Sequence, residues 1–324
     1  MHFVARRRHL LIAVFVLSQV AAASAQTAPP QPVAAPQGAS APVAQQQQQL
    51  IAQIPPGFQL NALQQAQLDQ MLDAWQKASR QILTFQCDFE RWEYNVAFGP
   101  QNKNLPLNKN KGSLSYQKPD KGSFEITEVN TFQLMPAKPG DQSGVQKGDW
   151  VKQPDAIGDH WVCDGKAVYQ YRPDLKQLVE HPIPPQFQGQ GIVDGPLPFL
   201  FGADTAKLKE RYWMRIDNQA GQNPNQVWLV AMPKHQQQAA DFSEVDVILD
   251  RQKLLPRYMQ VWMPNRSHDV YIFDIDNADV NGLFNRVKAA LFSRPSIPHG
   301  WKLVVQETPV AQAAPPVQPV QPRR

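Results

Sequence analysis

The chain has 324 residues, a formal net charge of +4, 30 prolines and 2 cysteines, and 42% of its residues are hydrophobic. Arg6, Arg7 and Arg8 belong to a leader and Arg323 and Arg324 to a Pro-rich tail, so the body between them is close to neutral. It lacks the basic footprint that nucleic-acid binding requires. The apolar run Leu10–Leu17 is too short to span a bilayer, so no transmembrane segment is expected in the mature protein.

Residues 1–25 read as an export signal: the arginine cluster, the short apolar run, and the small residues Ala23-Ser24-Ala25 before a cleavage point at Gln26. The mature protein is therefore expected in the periplasm or outside the cell. Residues 26–57 are rich in Ala, Pro and Gln, with the run Gln45–Gln49, and read as a disordered linker. Residues 308–324 have the same character. Between them residues 58–307 are long enough for one β-rich domain.

Residues 60–82 carry Leu68, Met71, Leu72, Trp75 and Ile82 at helical spacing. Asn61 is placed to cap that helix, with Gln64 as its capping-box partner. The period then changes to two: Leu83, Phe85, Cys87 and Phe89 alternate with polar residues, as in a strand with one buried face. Trp92, Tyr94 and Val96 continue on the opposite parity, which predicts a bulge or a change of partner. Leu114 and Tyr116, then Phe124 and Ile126, mark two strands around the turn residues 118–122. Residues 136–158 read as a long exposed loop.

Asp164-Gly165 between two apolar runs is a strong hairpin signal, because a tight turn needs residues that tolerate positive φ. Arg172-Pro173-Asp174 returns the chain into a third strand at 177–181. The segment Pro196–Gly202 is markedly apolar, and a short helix is expected at 203–210. Strands are expected at 212–216, 227–232, 245–249, 257–263, 270–275 and 302–306, with a further helix at 282–292. Many short strands and few helices predict an antiparallel sheet curled into a barrel or sandwich. Residues 227–232 are apolar on both parities, so that strand should be covered on both faces.

No residues present themselves for catalysis. His160, His181, His235, His268 and His299 are scattered, without zinc-ligand spacing. Asp159 and His160 are neighbours, but adjacent side chains of an extended chain point to opposite faces. The acidic stretch from Asp274 to Gly282 fails the calcium-loop register, because Ala278 falls where a ligand is required. No phosphate-binding Gly loop and no nucleophile elbow occur, so no cofactor, metal or enzymatic activity is expected. An even cysteine count in an exported chain argues for a Cys87–Cys163 disulfide, two separate buried thiols being the alternative.

Gly112-x-Leu114-x-Tyr116-x-Lys118-Pro119 followed by Phe124 resembles the early strands of the LolA/LolB-type lipoprotein-carrier fold. So do Asp164-Gly165-Lys166 followed by Val168-Tyr169-x-Tyr171-x-Pro173, the lid-like Pro198-Phe199-Leu200, and Leu229-x-x-x-Pro233. The motifs run in the family's order across about residues 60–276. The strand around Phe85-x-Cys87-x-Phe89-x-Arg91-Trp92 and the segment 188–202 are similar to a large paralogous set of exported proteins of planctomycete type.

The resemblance implies a mostly β (α+β) fold, an incomplete antiparallel β-barrel wrapped by an N-terminal helix and a short helical lid. It also implies an apolar cavity lined by Phe85, Phe89, Leu114, Tyr116, Phe124 and Ile126, with Phe199 and Phe201 in the lid. In the carriers an Arg before the second-strand Pro helps fasten that lid; here Lys118 stands there, without the bidentate fork of Arg. The implied function is an exported binder or carrier of a lipid or of a lipidated protein's acyl chain. The alternative is a non-catalytic scaffold of the cell envelope, with a filled core and a protein partner.

Overall fold

The computed structural model describes residues 53–306 apart from 101, 103, 136–147, 186–187, 190–203, 219–222 and 283–291. Helix α1 (Ala62–Arg80) begins at Asn61, whose side chain accepts from the Gln64 N–H while the Gln64 side chain accepts from the Asn61 N–H, at 2.9 and 3.0 Å. This is the expected capping box, and it satisfies two donors that a helix start leaves open. Leu68, Leu72 and Trp75 form its buried stripe. At about 1.5–3 kcal/mol for each large apolar side chain removed from water, packing rather than helix propensity holds α1 in place.

The described strands are β1 (Thr84–Tyr94), β2 (Asn108–Gln117), β3 (Lys121–Leu134), β4 (Gly148–Lys152), β5 (His160–Asp164), β6 (Ala167–Arg172), β7 (Gln177–Pro182), β8 (Tyr212–Ile216), β9 (Gln226–Pro233), β10 (Glu244–Asp250), β11 (Pro256–Trp262), β12 (His268–Phe273), β13 (Asp279–Val280) and β14 (Lys302–Val305). Helix α2 (Thr205–Arg211) precedes β8, and the single turn α3 (Gln236–Ala239) follows β9. All the strands join one sheet in the order β14-β7-β6-β5-β3-β2-β1-β12-β11-β10-β9-β8, with β13 on β1 and β4 on β3. Its two ends, β14 and β8, are not paired with each other, so the barrel is incomplete. Every pairing is antiparallel except β14 with β7. The protein is mostly β with helices, as the sequence led one to expect.

Cross-strand register builds one continuous apolar surface. Phe89 faces Phe273, Tyr271 faces Met259, Met259 faces Val247, and Val247 faces Leu229. Phe85, Leu114, Ile126, Leu229, Val247 and Phe273 all belong to the main core, together with Leu68, Leu72 and Trp75 of α1. This is the concave face. A smaller core of Val162, Ala167, Tyr169 and Leu178 lies on the reverse side of the β5–β7 wing, with Leu303 of β14 packed against it.

Two sequence expectations change here. Gly148–Lys152, placed within an exposed loop, is a strand on β3, where Trp150 lies edge-on to Phe132 at 5.3 Å and its indole N–H donates to the Pro106 carbonyl at 3.1 Å. β1 has no bulge at Trp92, since it keeps register with β2 from Thr84 to Glu93; on its other edge the partner does change, from β13 at Phe85 and Gln86 to β12 from Phe89 onward. The parity switch has another cause: Arg91 and Glu93 occupy the concave face, so the apolar residues beyond Phe89 turn outward. Register shifts do occur between β2 and β3 at Lys111/Gly112 and between β10 and β11 at Ile248/Leu249. The helix expected at 282–292 falls almost wholly outside the described residues.

The Cys87–Cys163 disulfide is not formed. Both thiols are free and buried. Cys87 lies on β1 and Cys163 on β5, with β2 and β3 between them. Three strand spacings of about 4.8 Å exceed the reach of a bridge by roughly twofold. Each thiol donates instead to a backbone carbonyl, Cys87 to Asp88 and Cys163 to Asp120, both at 3.0 Å.

Candidate functional site

Alternation along β1 puts Phe85, Cys87 and Phe89 on the concave face. The ladders bring Tyr116 opposite Phe85, Leu114 opposite Cys87, and then Phe124 and Ile126 of β3 beside Leu114 and Gly112. The six residues expected to line a cavity therefore share one surface. Phe89 is its centre, stacked on Phe124 at 4.9 Å and tilted against Tyr271 and Phe273, each at 6.0 Å. Gly112 makes this possible, because a Cβ there would sit 2.5 Å from Cζ of the Phe89 ring and 2.4 Å from the Glu125 carbonyl.

Phe85, Phe89, Leu114 and Ile126 are buried, whereas Tyr116 and Phe124 are half-buried. The Tyr116 hydroxyl donates to the Pro119 carbonyl at 3.2 Å, and burial pushes its pKa up to about 12. Lys118 is exposed, and its Nζ donates to the Arg80 carbonyl at 3.1 Å. A cation at a helix C-terminus satisfies an open carbonyl and complements the helix dipole, so Lys118 ties β2 to α1. Phe199 and Phe201 lie outside the described residues. The described flanks of their segment are tied to the body. The Gly189 N–H donates to the buried Asp120 at 2.6 Å, and the Thr205 hydroxyl of α2 donates to the Leu72 carbonyl of α1 at 3.2 Å.

Beyond Phe89 the concave face turns polar, a feature that sequence reasoning missed. Arg91, only 5% exposed, donates from one guanidinium nitrogen to Asp159 at 2.7 Å and pairs through the other with Glu93. Glu93 also accepts from the side-chain amides of Asn108 at 2.6 Å and Asn110 at 3.0 Å, both buried. The β1–β12 register sets Tyr271 beside Arg91 and Asp269 beside Glu93. Burial opposes the Arg91 charge, but Glu93 and Asp159 outweigh it and hold the guanidinium firmly protonated. Burial, then the neighbouring Glu93 charge, pushes the Asp269 carboxyl up to about 7 despite the opposing pull of Arg91. Burial also drives the Tyr271 phenol well above its ordinary range. The signal in the sequence was the parity switch at Trp92 and Tyr94: charged residues had taken the inward positions.

The remaining candidates fall apart in space. Asp159 meets Arg91, while the His160 ring stacks on Tyr171 at 4.2 Å, so the two neighbours serve different surroundings. Asp276 of the rejected calcium loop pairs with Lys253 and Arg257, each at 2.8 Å. Among the described residues no group of three or more His, Cys, Asp or Glu side chains is placed to hold a metal ion. No described helix is long and apolar enough to cross a membrane. Trp228, Val230 and Met232, on the outer parity of β9, are half-buried or buried, and Val227, Leu229 and Ala231 lie in the main core.

No family model and no curated protein matches the sequence. Among solved structures the chain is similar to an uncharacterized conserved protein from Thermus thermophilus, with 11% identity over 74% of this chain and 99% of that one and a TM-score of 0.39. It is also similar to a LolA superfamily protein from Nitrosomonas europaea, with 8% identity over 69% and 97% of the two chains and a TM-score of 0.29. A putative outer membrane lipoprotein-sorting protein domain from Vibrio parahaemolyticus overlaps with 11% identity over 69% and 97% of the two chains and a TM-score of 0.29. Overlaps of this size assign neither a family nor a function.

Proposed function

We propose that the chain is an exported, non-catalytic binder or carrier of an elongated apolar molecule, a lipid or the acyl chain of a lipidated protein. One observation carries this reading. Phe124 and Tyr116 stand on the apolar concave face of an unclosed sheet, beside the fully buried Phe89, and are themselves only half-buried. A monomer with nothing to bind gains by covering such rings. Phe85, Phe89, Leu114 and Ile126 form the floor of this site, and Phe199 and Phe201 belong to a lid over it. The leader 1–25, the linker 26–57, the domain 58–307 and the tail 308–324 are part of the same proposal, as is kinship with exported proteins of planctomycete type.

A second reading has its own support. The rings of Phe85 and Phe89 are buried to within a few per cent, as in a filled core. A scaffold of the cell envelope with a protein partner would look the same at those positions. Titration of a fluorescent fatty acid separates the two. Saturable binding, weakened about tenfold or more by Phe124→Asp or Phe199→Asp with the fold retained, supports the carrier. Absence of binding, together with lipid-free protein on mass spectrometry after purification, leaves the scaffold.

A further inference from the structure

Among the described residues, three buried polar atoms of the Arg91 cluster have no hydrogen-bond partner: Arg91 Nε, Asn108 Oδ1 and Asn110 Oδ1. They sit together, because Arg91 faces Asn110 and Glu93 faces Asn108 in the β1–β2 ladder. The two amides cannot be turned round to relieve this. Their nitrogens already donate to Glu93, and reversal would set oxygen against carboxylate. A buried polar atom left without a partner loses its hydration and gains nothing in return. Three in one place form a group that awaits a partner.

Charge selects the kind of partner. One guanidinium, Arg91, is surrounded by the carboxyl groups of Glu93, Asp159 and Asp269, and the open atoms are two acceptors against one donor. The cluster is therefore rich in carboxyl groups and acceptors, suited to a group that donates hydrogen bonds and carries positive charge. It is not sealed. The side chains of Glu93 and Asp159 are each 25% exposed, against 6% for Arg91. It also adjoins the apolar face directly, since the Arg91–Tyr271 pair is the next inward-facing pair after Phe89–Phe273.

We propose that Asn108, Asn110 and Glu93 form a head-group subsite at the polar end of the concave face, which takes the primary ammonium of an amphiphile whose apolar chain lies over Phe89 and Phe124. The proposal deepens the carrier reading and rests on it for the chain, though not for the head group. A primary ammonium supplies three donors and one positive charge, which matches the two open amide oxygens and the Glu93 carboxylate beside them. A fatty acid carboxylate would set a third anion beside Glu93 and Asp159.

Isothermal titration with octylammonium, octanoate and propylammonium tests head and chain separately. The expected result is octylammonium binding about tenfold or more tightly than either of the others, with Glu93→Gln reducing the preference over octanoate to about threefold or less. Equal binding of octylammonium and octanoate by the native chain overturns the ammonium subsite and leaves the apolar site standing. Equal saturable binding of octylammonium and propylammonium supports the subsite and removes the chain-binding face. Binding of neither amine overturns the subsite. If Glu93→Gln fails to fold, Asn108→Leu replaces it with the same expectation, and the comparison on the native chain still decides.

Discussion

Gly112 and Phe89 form a single packing unit, in which one residue's missing side chain is the other's ring space. Gly112→Val should therefore cost about 1–3 kcal/mol in urea unfolding, as overpacked cores do; an unchanged midpoint would mean that the ring swings aside freely. Asp269 makes a different prediction. Its folded pKa lies near 7, above the roughly 3.9 of an unfolded Asp, so the folded state holds that proton more tightly. Its contribution to stability is complete below about pH 4 and is lost as pH rises toward about 7. Asp269→Asn should flatten the fall in the urea midpoint between about pH 4 and pH 7; an unaltered pH profile would show that Asp269 ionises as an ordinary carboxylate. Strict alternation made the shared face of Phe85 and Phe89 legible in the sequence. The role of Arg91 was not, because its partner Asp159 lies 68 residues along the chain and charged residues at alternate positions ordinarily mean solvent.

At the scale of elements, α1 was legible from its first residue, since a capping box is a local device. Asn61→Ala should lower stability by about 1 kcal/mol, read as a shift in the denaturation midpoint. The strand carrying Gly148–Lys152 was missed because its pairing partner, not its composition, makes it a strand. Trp150 finds Phe132 and the Pro106 carbonyl only when β3 is already beside it. The disulfide was misjudged for a related reason. Cysteine count and compartment say nothing of strand order, and β2 and β3 separate β1 from β5. Burial, the first cause in each case, pushes both thiols up to about 12. Cys87 and Cys163 should resist alkylation at pH 8 until the chain is unfolded, and reductant should leave the melting temperature unchanged; rapid labelling of either in the native state would place it at the surface.

Across the whole molecule, the curled antiparallel sheet was legible from the steady run of short strands, but its order was not, because β1 pairs with β12 from the far part of the chain. Stability should grade accordingly: amides of β1, flanked by long ladders to β2 and β12, should exchange with solvent slowest, and those of the four-residue edge strand β14 fastest. Equal rates in the two strands would mean that the sheet opens only as a unit. The seam that makes β1 central also places it in time. Asn281 Oδ1 accepts from the N–H groups of Leu83 and Thr84, and the first of these bonds joins positions 198 residues apart. A chain made from its N-terminus holds β1, β2 and β3 for more than a hundred residues of synthesis before β12, which flanks β1, is made. Phe89 can meet Phe124 once β3 is made, but it meets Tyr271 and Phe273 only when β12 has emerged. Until then that flank of Phe89 stays uncovered, and transiently exposed apolar surface of this kind promotes aggregation.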